Sequence, residues 1–151
     1  MALRDHRVAH AREHGAGVGD EDVDVAQRGE ELGHLAGDAY ITHIAHTLRA
    51  TLTDALVFGR WGGDEFLALF PGDEDEVAES VSRAIKFLSV NGLELDGVKV
   101  VPEVSAGISV WNRENTIDPA LHRADTALYS AKNTDKSKVC VYRLDESELI
   151  G

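Results

Sequence analysis

The feature that most constrains the fold is a pair of short apolar runs joined by glycines. Ala55–Trp61 and Phe66–Phe70 flank Gly62-Gly63-Asp64-Glu65. Two such runs around a glycine pair read as a hairpin with a four-residue loop. Pro71-Gly72 ends the second strand.

Helical periodicity brackets this hairpin. Ile41, Ile44, Ala45, Leu48 and Leu52 recur at three- and four-residue steps, which predicts a helix from about Gly37 to Thr53. Val77, Val81, Ile85 and Leu88 form the stripe of a second helix, from about Glu74 to Val90. Asp73 is placed to cap that helix, and Asn91-Gly92 to stop it. Strand-like segments follow at Val98–Val101 and Val104–Trp111. Asp118-Pro119 predicts a third helix, with the aspartate as N-cap and the proline in the first turn. Its apolar face holds Leu121, Ala124, Leu128 and Ala131, and Tyr129 reads as a core aromatic. Lys138–Arg143 alternates like an edge strand. From residue 37 the order is helix, strand, strand, helix, strand, helix, strand. It predicts an α+β fold, a mostly antiparallel central sheet flanked by helices.

The chain has 151 residues, a formal net charge of −12 and 43% hydrophobic residues. One globular domain is the expectation. The acidic balance opposes broad nucleic-acid binding, which needs clustered cations, and docking on anionic lipid. Cys140 is the single cysteine and cannot form an intramolecular disulfide, which fits a reducing, cytoplasmic setting. The longest apolar run is five residues, Phe66–Phe70, so no membrane segment is expected. Residues 1–30 stand apart, rich in His, Arg, Gly and Asp and poor in large apolar side chains. No strand is read there, and 31–151 reads as the domain proper. His6, His10 and His14 are four apart. On a helix they would share one face and could bind a transition metal, but a solvated segment is the plainer reading.

Chemistry concentrates at Arg60-Trp61-Gly62-Gly63-Asp64-Glu65-Phe66. Glycines let the backbone approach a phosphate and offer N–H donors. Adjacent carboxylates at a strand end suit Mg²⁺, which prefers oxygen ligands. On residue types alone an ordinary exposed turn is the commoner reading.

Four segments in order give this chain a resemblance to a known family. They are Leu32-Gly33-His34-Leu35-Ala36-Gly37-Asp38, Gly62-Gly63-Asp64-Glu65-Phe66, Val104-Ser105-Ala106-Gly107-Ile108-Ser109 and Ala124-Asp125-Thr126-Ala127-Leu128-Tyr129-Ser130-Ala131-Lys132. The chain resembles the GGDEF domain family, the diguanylate cyclases. The resemblance implies a palm-like α+β fold and condensation of two GTP into cyclic di-GMP with release of pyrophosphate. It implies an antiparallel homodimer with one GTP per subunit, Mg²⁺ (with Mn²⁺ as substitute) at each site, and a bacterial signalling role. By position, Asp64 and Glu65 match the metal-site and catalytic carboxylates, and Gly62 and Gly63 pass beneath the phosphates. Asp38 matches the guanine-contacting aspartate, and Lys132 the phosphate-binding lysine. Lys136 stands where the family carries arginine, keeping the charge without the bidentate fork.

The pattern departs from the family before residue 31. Asp22-Val23-Asp24 copies a D-x-D metal motif, but one residue too close to Gly33-His34. Aligned without a gap, the metal position falls on Glu21, and the guanine-contacting asparagine is replaced by Gly29. A degenerate site, a tolerated gap that leaves Asp22 a metal ligand, and a non-native opening segment each account for this. The family's R-x-x-D feedback site falls on Thr53 and Leu56 and is absent. The alternative to a cyclase is a non-catalytic module that binds nucleotide or a protein partner.

Overall fold

In a computed structural model of the chain, the described residues form six strands and three helices in one layered unit. The structure describes residues 6–18, 25–95, 97–112, 116–134 and 138–144, with backbone alone at 14–18, 25–37 and 95. The elements are β1 (His6–Val18), α1 (Val25–Thr51), β2 (Val57–Gly62), β3 (Glu65–Phe70), α2 (Glu74–Asn91), β4 (Leu93–Leu95), β5 (Val98–Trp111), α3 (Asp118–Lys132) and β6 (Val139–Val141).

The sheet order is β2-β3-β1-β5-β4, with β6 also pairing β5. Every pairing is antiparallel except the parallel β5–β6 pair. The predicted mostly antiparallel sheet is therefore present, and its centre is β1. Residues 6–18 were expected to hold no strand, yet they pair with β3 on one side and β5 on the other. The reason is burial on both faces. A central strand needs side chains that fit under helices, and small Ala9 and Val8 do so without the long apolar alternation that marks a half-exposed strand.

Strand alternation splits β1 between two cores. Ala9 joins Ile44, Leu48, Phe66, Phe70, Val81 and Leu88 beneath α1 and α2. Val8 packs with Ala120 and Ala124 of α3 on the opposite face. The α1 and α2 stripes read from the sequence are the buried ones: Ile41, Ile44, Leu48, Leu52 and Val77, Val81, Ile85, Leu88. Asp73 caps α2, its Oδ1 accepting from the Glu76 amide at 2.8 Å.

Several local expectations are corrected. The segments Val98–Val101 and Val104–Trp111 are one strand that runs through Pro102. The hairpin is tighter than four residues, because Gly62 pairs with Glu65 and only Gly63 and Asp64 form the loop, with a register shift after Arg60. Gly63 takes a positive φ of 23° there. Asp118 is the first residue of α3 rather than its cap; Ile117 holds the cap position without a side-chain bond. Tyr129, expected in the core, is 71% exposed. The small residues Ala124, Ala127 and Ala131 face inward instead, and they let α3 lie against the sheet at Gly107.

Candidate functional site

The hairpin tip is positioned by β1. The Glu13 amide donates to the Asp64 carbonyl at 3.0 Å, so the loop is pinned to the central strand. Arg12 stands opposite Glu65 in the β1–β3 register. Residues 8, 10 and 12 share one face of β1 by alternation, the face that α3 covers. His10 and Arg12 therefore reach the turn from that side.

Arg12 Nε lies 3.4 Å from Asp64 Oδ1 and 3.5 Å from Oδ2, and both side chains are partly exposed. His10 is buried, with Nε2 3.3 Å from Glu65 Oε1 and Nδ1 3.7 Å from Asp125 Oδ1. The Nε2 contact is not aligned as a hydrogen bond. A buried imidazole thus sits between a turn carboxylate and an α3 carboxylate. Lys132 lies seven residues beyond Asp125 on α3, which is about two turns or ~10 Å along the same helix face. Its ammonium is exposed.

Asp38 approaches the turn from α1. Its carboxylate is exposed and lies 3.6 Å from Arg60 Nη2, while Arg60 Nε donates to the Gly63 carbonyl at 2.7 Å. Arg60 so ties α1 to the loop. Two residues along α1, the Tyr40 hydroxyl donates to Glu13 Oε1 at 3.1 Å. Burial first, then the Glu13 carboxylate beside it, push the Tyr40 hydroxyl far above its usual range. A tyrosine whose folded pKa is raised keeps its proton in the native state after the unfolded chain has lost it. Its stabilisation is complete below the unfolded value of about 10 and is lost as pH climbs beyond it. Chemical denaturation between pH 8 and about 11 should show stability falling above about 10. In Tyr40→Phe that alkaline fall should shrink, while stability near neutrality drops by about 1–2 kcal/mol because one donor to a buried carboxylate is gone.

Of the residues singled out in the sequence, Asp64, Glu65, Gly62 and Gly63 meet at the tip, and Asp38 joins them through Arg60. Asp22, Glu21 and Lys136 lie outside the described residues. His6, His10 and His14 fall on a strand and not on a helix, and among the described residues no three His, Cys, Asp or Glu groups assemble as a metal site. Among the described residues, the donor set at the turn does not fit a divalent ion. Mg²⁺ requires near-octahedral oxygen donors, whereas Asp64 is engaged by a guanidinium and Glu65 faces an imidazole at 3.3 Å. Sequence reading missed Arg12 and Glu13, and it named His10 only as one of three histidines on a possible helix face. Their signal was period-two alternation within β1, invisible until that segment was seen as a strand.

The turn is an open surface site. An apolar groove of about 220 Å³ lies nearby between Val8, Val57, Trp61, Leu69 and Leu121. Another, of about 460 Å³, runs between α2 and β5 along Lys86, Ser89, Pro102 and Lys138. Neither is lined by Asp64, Glu65 or Asp38. Among the described residues, no helix is long and apolar enough to cross a membrane.

Comparison with known proteins agrees with this architecture. Residues 27–138 match the family described as diguanylate cyclase, GGDEF domain. That match begins after β1. The chain is 33% identical over 107 residues to diguanylate cyclase DgcM of Escherichia coli K12, covering 71% of this chain and 26% of that protein. It is 29% identical over 142 residues to cyclic di-GMP phosphodiesterase PdeR of the same organism, covering 93% of this chain and 22% of that protein. It thus spans about a quarter of the length of these relatives. Its fold is similar to an EAL/GGDEF domain protein from M. capsulatus, with a TM-score of 0.72 at 25% identity over 93% of this chain and 86% of that one. The GGDEF domain of DgcB from Caulobacter crescentus, solved in complex with c-di-GMP, gives a TM-score of 0.72 at 22% identity over 91% of this chain and 78% of that one. On sequence and fold together, the chain belongs to the GGDEF domain family of diguanylate cyclases.

Proposed function

We propose that the chain serves cyclic di-GMP signalling as a guanine-nucleotide domain of the diguanylate cyclase class. The glycine turn approaches the triphosphate of GTP. Asp38 accepts from the guanine N1–H and N2–H₂ together, and Lys132 and Lys136 contact the phosphates. In paired copies, the 3′-hydroxyl of one GTP attacks the α-phosphate of the other, pyrophosphate leaves, and two such steps close cyclic di-GMP. The observation that supports this most is the Asp38–Arg60–Gly63 linkage. It holds a base-reading carboxylate and a phosphate-approaching loop at a fixed spacing on two different elements. The expected setting is the cytoplasm. The family's divalent ion would need donors beyond those described, Asp22 being the candidate, and no step is routed through it.

A second reading is favoured by the Arg12–Asp64 contact. With a guanidinium on the signature aspartate, the domain binds nucleotide and does not condense it, and its output is a contact with another protein.

One experiment separates the two. The purified chain is incubated with GTP and Mg²⁺, and the products are resolved by chromatography alongside calorimetric GTP titration. Cyclic di-GMP that disappears in Asp64→Ala and Glu65→Ala supports condensation. GTP binding without product supports the binding module. Absence of both would end the guanine-nucleotide reading.

A further inference from the structure

We propose that Arg12 is a built-in counter-ion for Asp64, so that the turn excludes divalent cations and binds guanine nucleotide without them. The second half of this proposal rests on the guanine-nucleotide reading above.

The argument begins with register. β1 brings Arg12 opposite Glu65 and the Glu13 amide onto the Asp64 carbonyl, so the guanidinium is placed by backbone pairing. Its Nε is within 3.5 Å of both Asp64 carboxylate oxygens. A divalent ion on Asp64 would sit about 2.1 Å from one of those oxygens, inside the first coordination shell. It would meet the like charge of Arg12 well inside the ~8–10 Å over which dissolved salt screens exposed charges. The neighbouring carboxylate does not relieve this, because Glu65 Oε1 faces the His10 imidazole at 3.3 Å. That imidazole is buried, and its Nε2 has no hydrogen-bond partner. Both acidic side chains of the turn are therefore met by nitrogen groups from a single strand face.

Charge supplies the other half of the argument. The chain as a whole carries 27 acidic against 15 basic residues, yet Arg12 and Arg60 both stand at this loop, one on each side. Arg12 is partly exposed, and a guanidinium can hold a carboxylate with one edge while offering its other donors to a phosphate. The charge neutralisation that a metal ion supplies elsewhere is here carried by side chains.

The test uses the full chain. Mn²⁺ alone is titrated and followed by electron paramagnetic resonance, for the unaltered protein, Arg12→Gln and Arg12→Asp. Circular dichroism confirms that each variant is folded. The unaltered chain should show no saturable Mn²⁺ binding, and Arg12→Asp should gain it by about tenfold or more, the scale on which groups around a metal site alter affinity. Arg12→Gln, which shortens the side chain, stays polar and removes the charge, should fall between them. In parallel, GTP is titrated by calorimetry with EDTA and with Mg²⁺. The unaltered chain should bind equally in both buffers, and Arg12→Asp only with Mg²⁺. Saturable Mn²⁺ binding by the unaltered chain, or equal Mn²⁺ behaviour in all three proteins, overturns the counter-ion role. GTP binding that vanishes on chelation overturns metal independence. GTP binding absent in both buffers overturns the nucleotide reading and the second half of the proposal with it, while the Mn²⁺ titration still decides the first half.

Discussion

Replacing Gly107 by alanine should unfold this domain well below the temperature at which the native chain melts. A Cβ at Gly107 would overlap the Ala124 carbonyl oxygen and the Leu128 amide of α3, and it would lie 3.0 Å from the Ala127 carbonyl carbon. All three atoms are helix backbone, so no rotamer change relieves the overlap, and α3 must move as a body. Overpacking typically costs about 1–3 kcal/mol, and a clash against backbone belongs at or above the top of that range. For a domain of this size each kcal/mol shifts the melting point by roughly 2–4 °C, so a fall of about 10 °C is expected by calorimetry. The site should suffer with the core. Gly107 pairs with His10 in β1, and α3 carries both Asp125 and Lys132, so lifting the helix opens the lid over His10. A melting point within about 2 °C of the native one would show that α3 is not held at this approach.

The largest effect on binding is expected at Asp38. Its carboxylate is exposed on α1 and tethered to the loop through Arg60. Accepting two guanine N–H groups with one ionised carboxylate would contribute about 1.5–3 kcal/mol for each well-formed bond. Asp38→Ala, which removes both bonds, should thus weaken GTP binding by about 100-fold or more. ATP lacks that donor pair, and its weak binding should not change. Asp38→Asn should retain part of the preference, having one acceptor in place of two. Calorimetry with both nucleotides reads the outcome. Equal losses for GTP and ATP would mean that Asp38 acts only by holding Arg60 and the loop.

Much of this was legible locally. The stripes of α1 and α2 repeat with helical period, and Asp73 sits three residues before Glu76, whose amide it caps. The turn was legible because glycine and acidic residues have few other uses between two apolar runs. What escaped is non-local. β1 carries Val8, Ala9 and Ala11 among His, Arg and Glu, a pattern that resembles a solvated segment until helices cover both its faces. With the strand unseen, its pairing with β3 could not be inferred, and Arg12 could not be set beside Asp64, 52 residues away. Tyr129 shows the converse error. An aromatic on an amphipathic helix was given to the core, but the buried face of α3 is made of alanines and Leu128, and Tyr129 lies outside it.

The central place of β1 also bears on how the chain is made. This strand leaves the ribosome before the other strands of its sheet, yet β5, its partner over the greatest length, ends only at Trp111. The sheet therefore cannot close until β5 has been made, and native pairing waits on segments far along the chain, the kind of topology that folds slowly. A nascent strand left waiting is a hazard when it is long and greasy. The histidines, arginines and glutamate spaced through His6–Val18 make this one a poor template for sticking to its neighbours on a polysome.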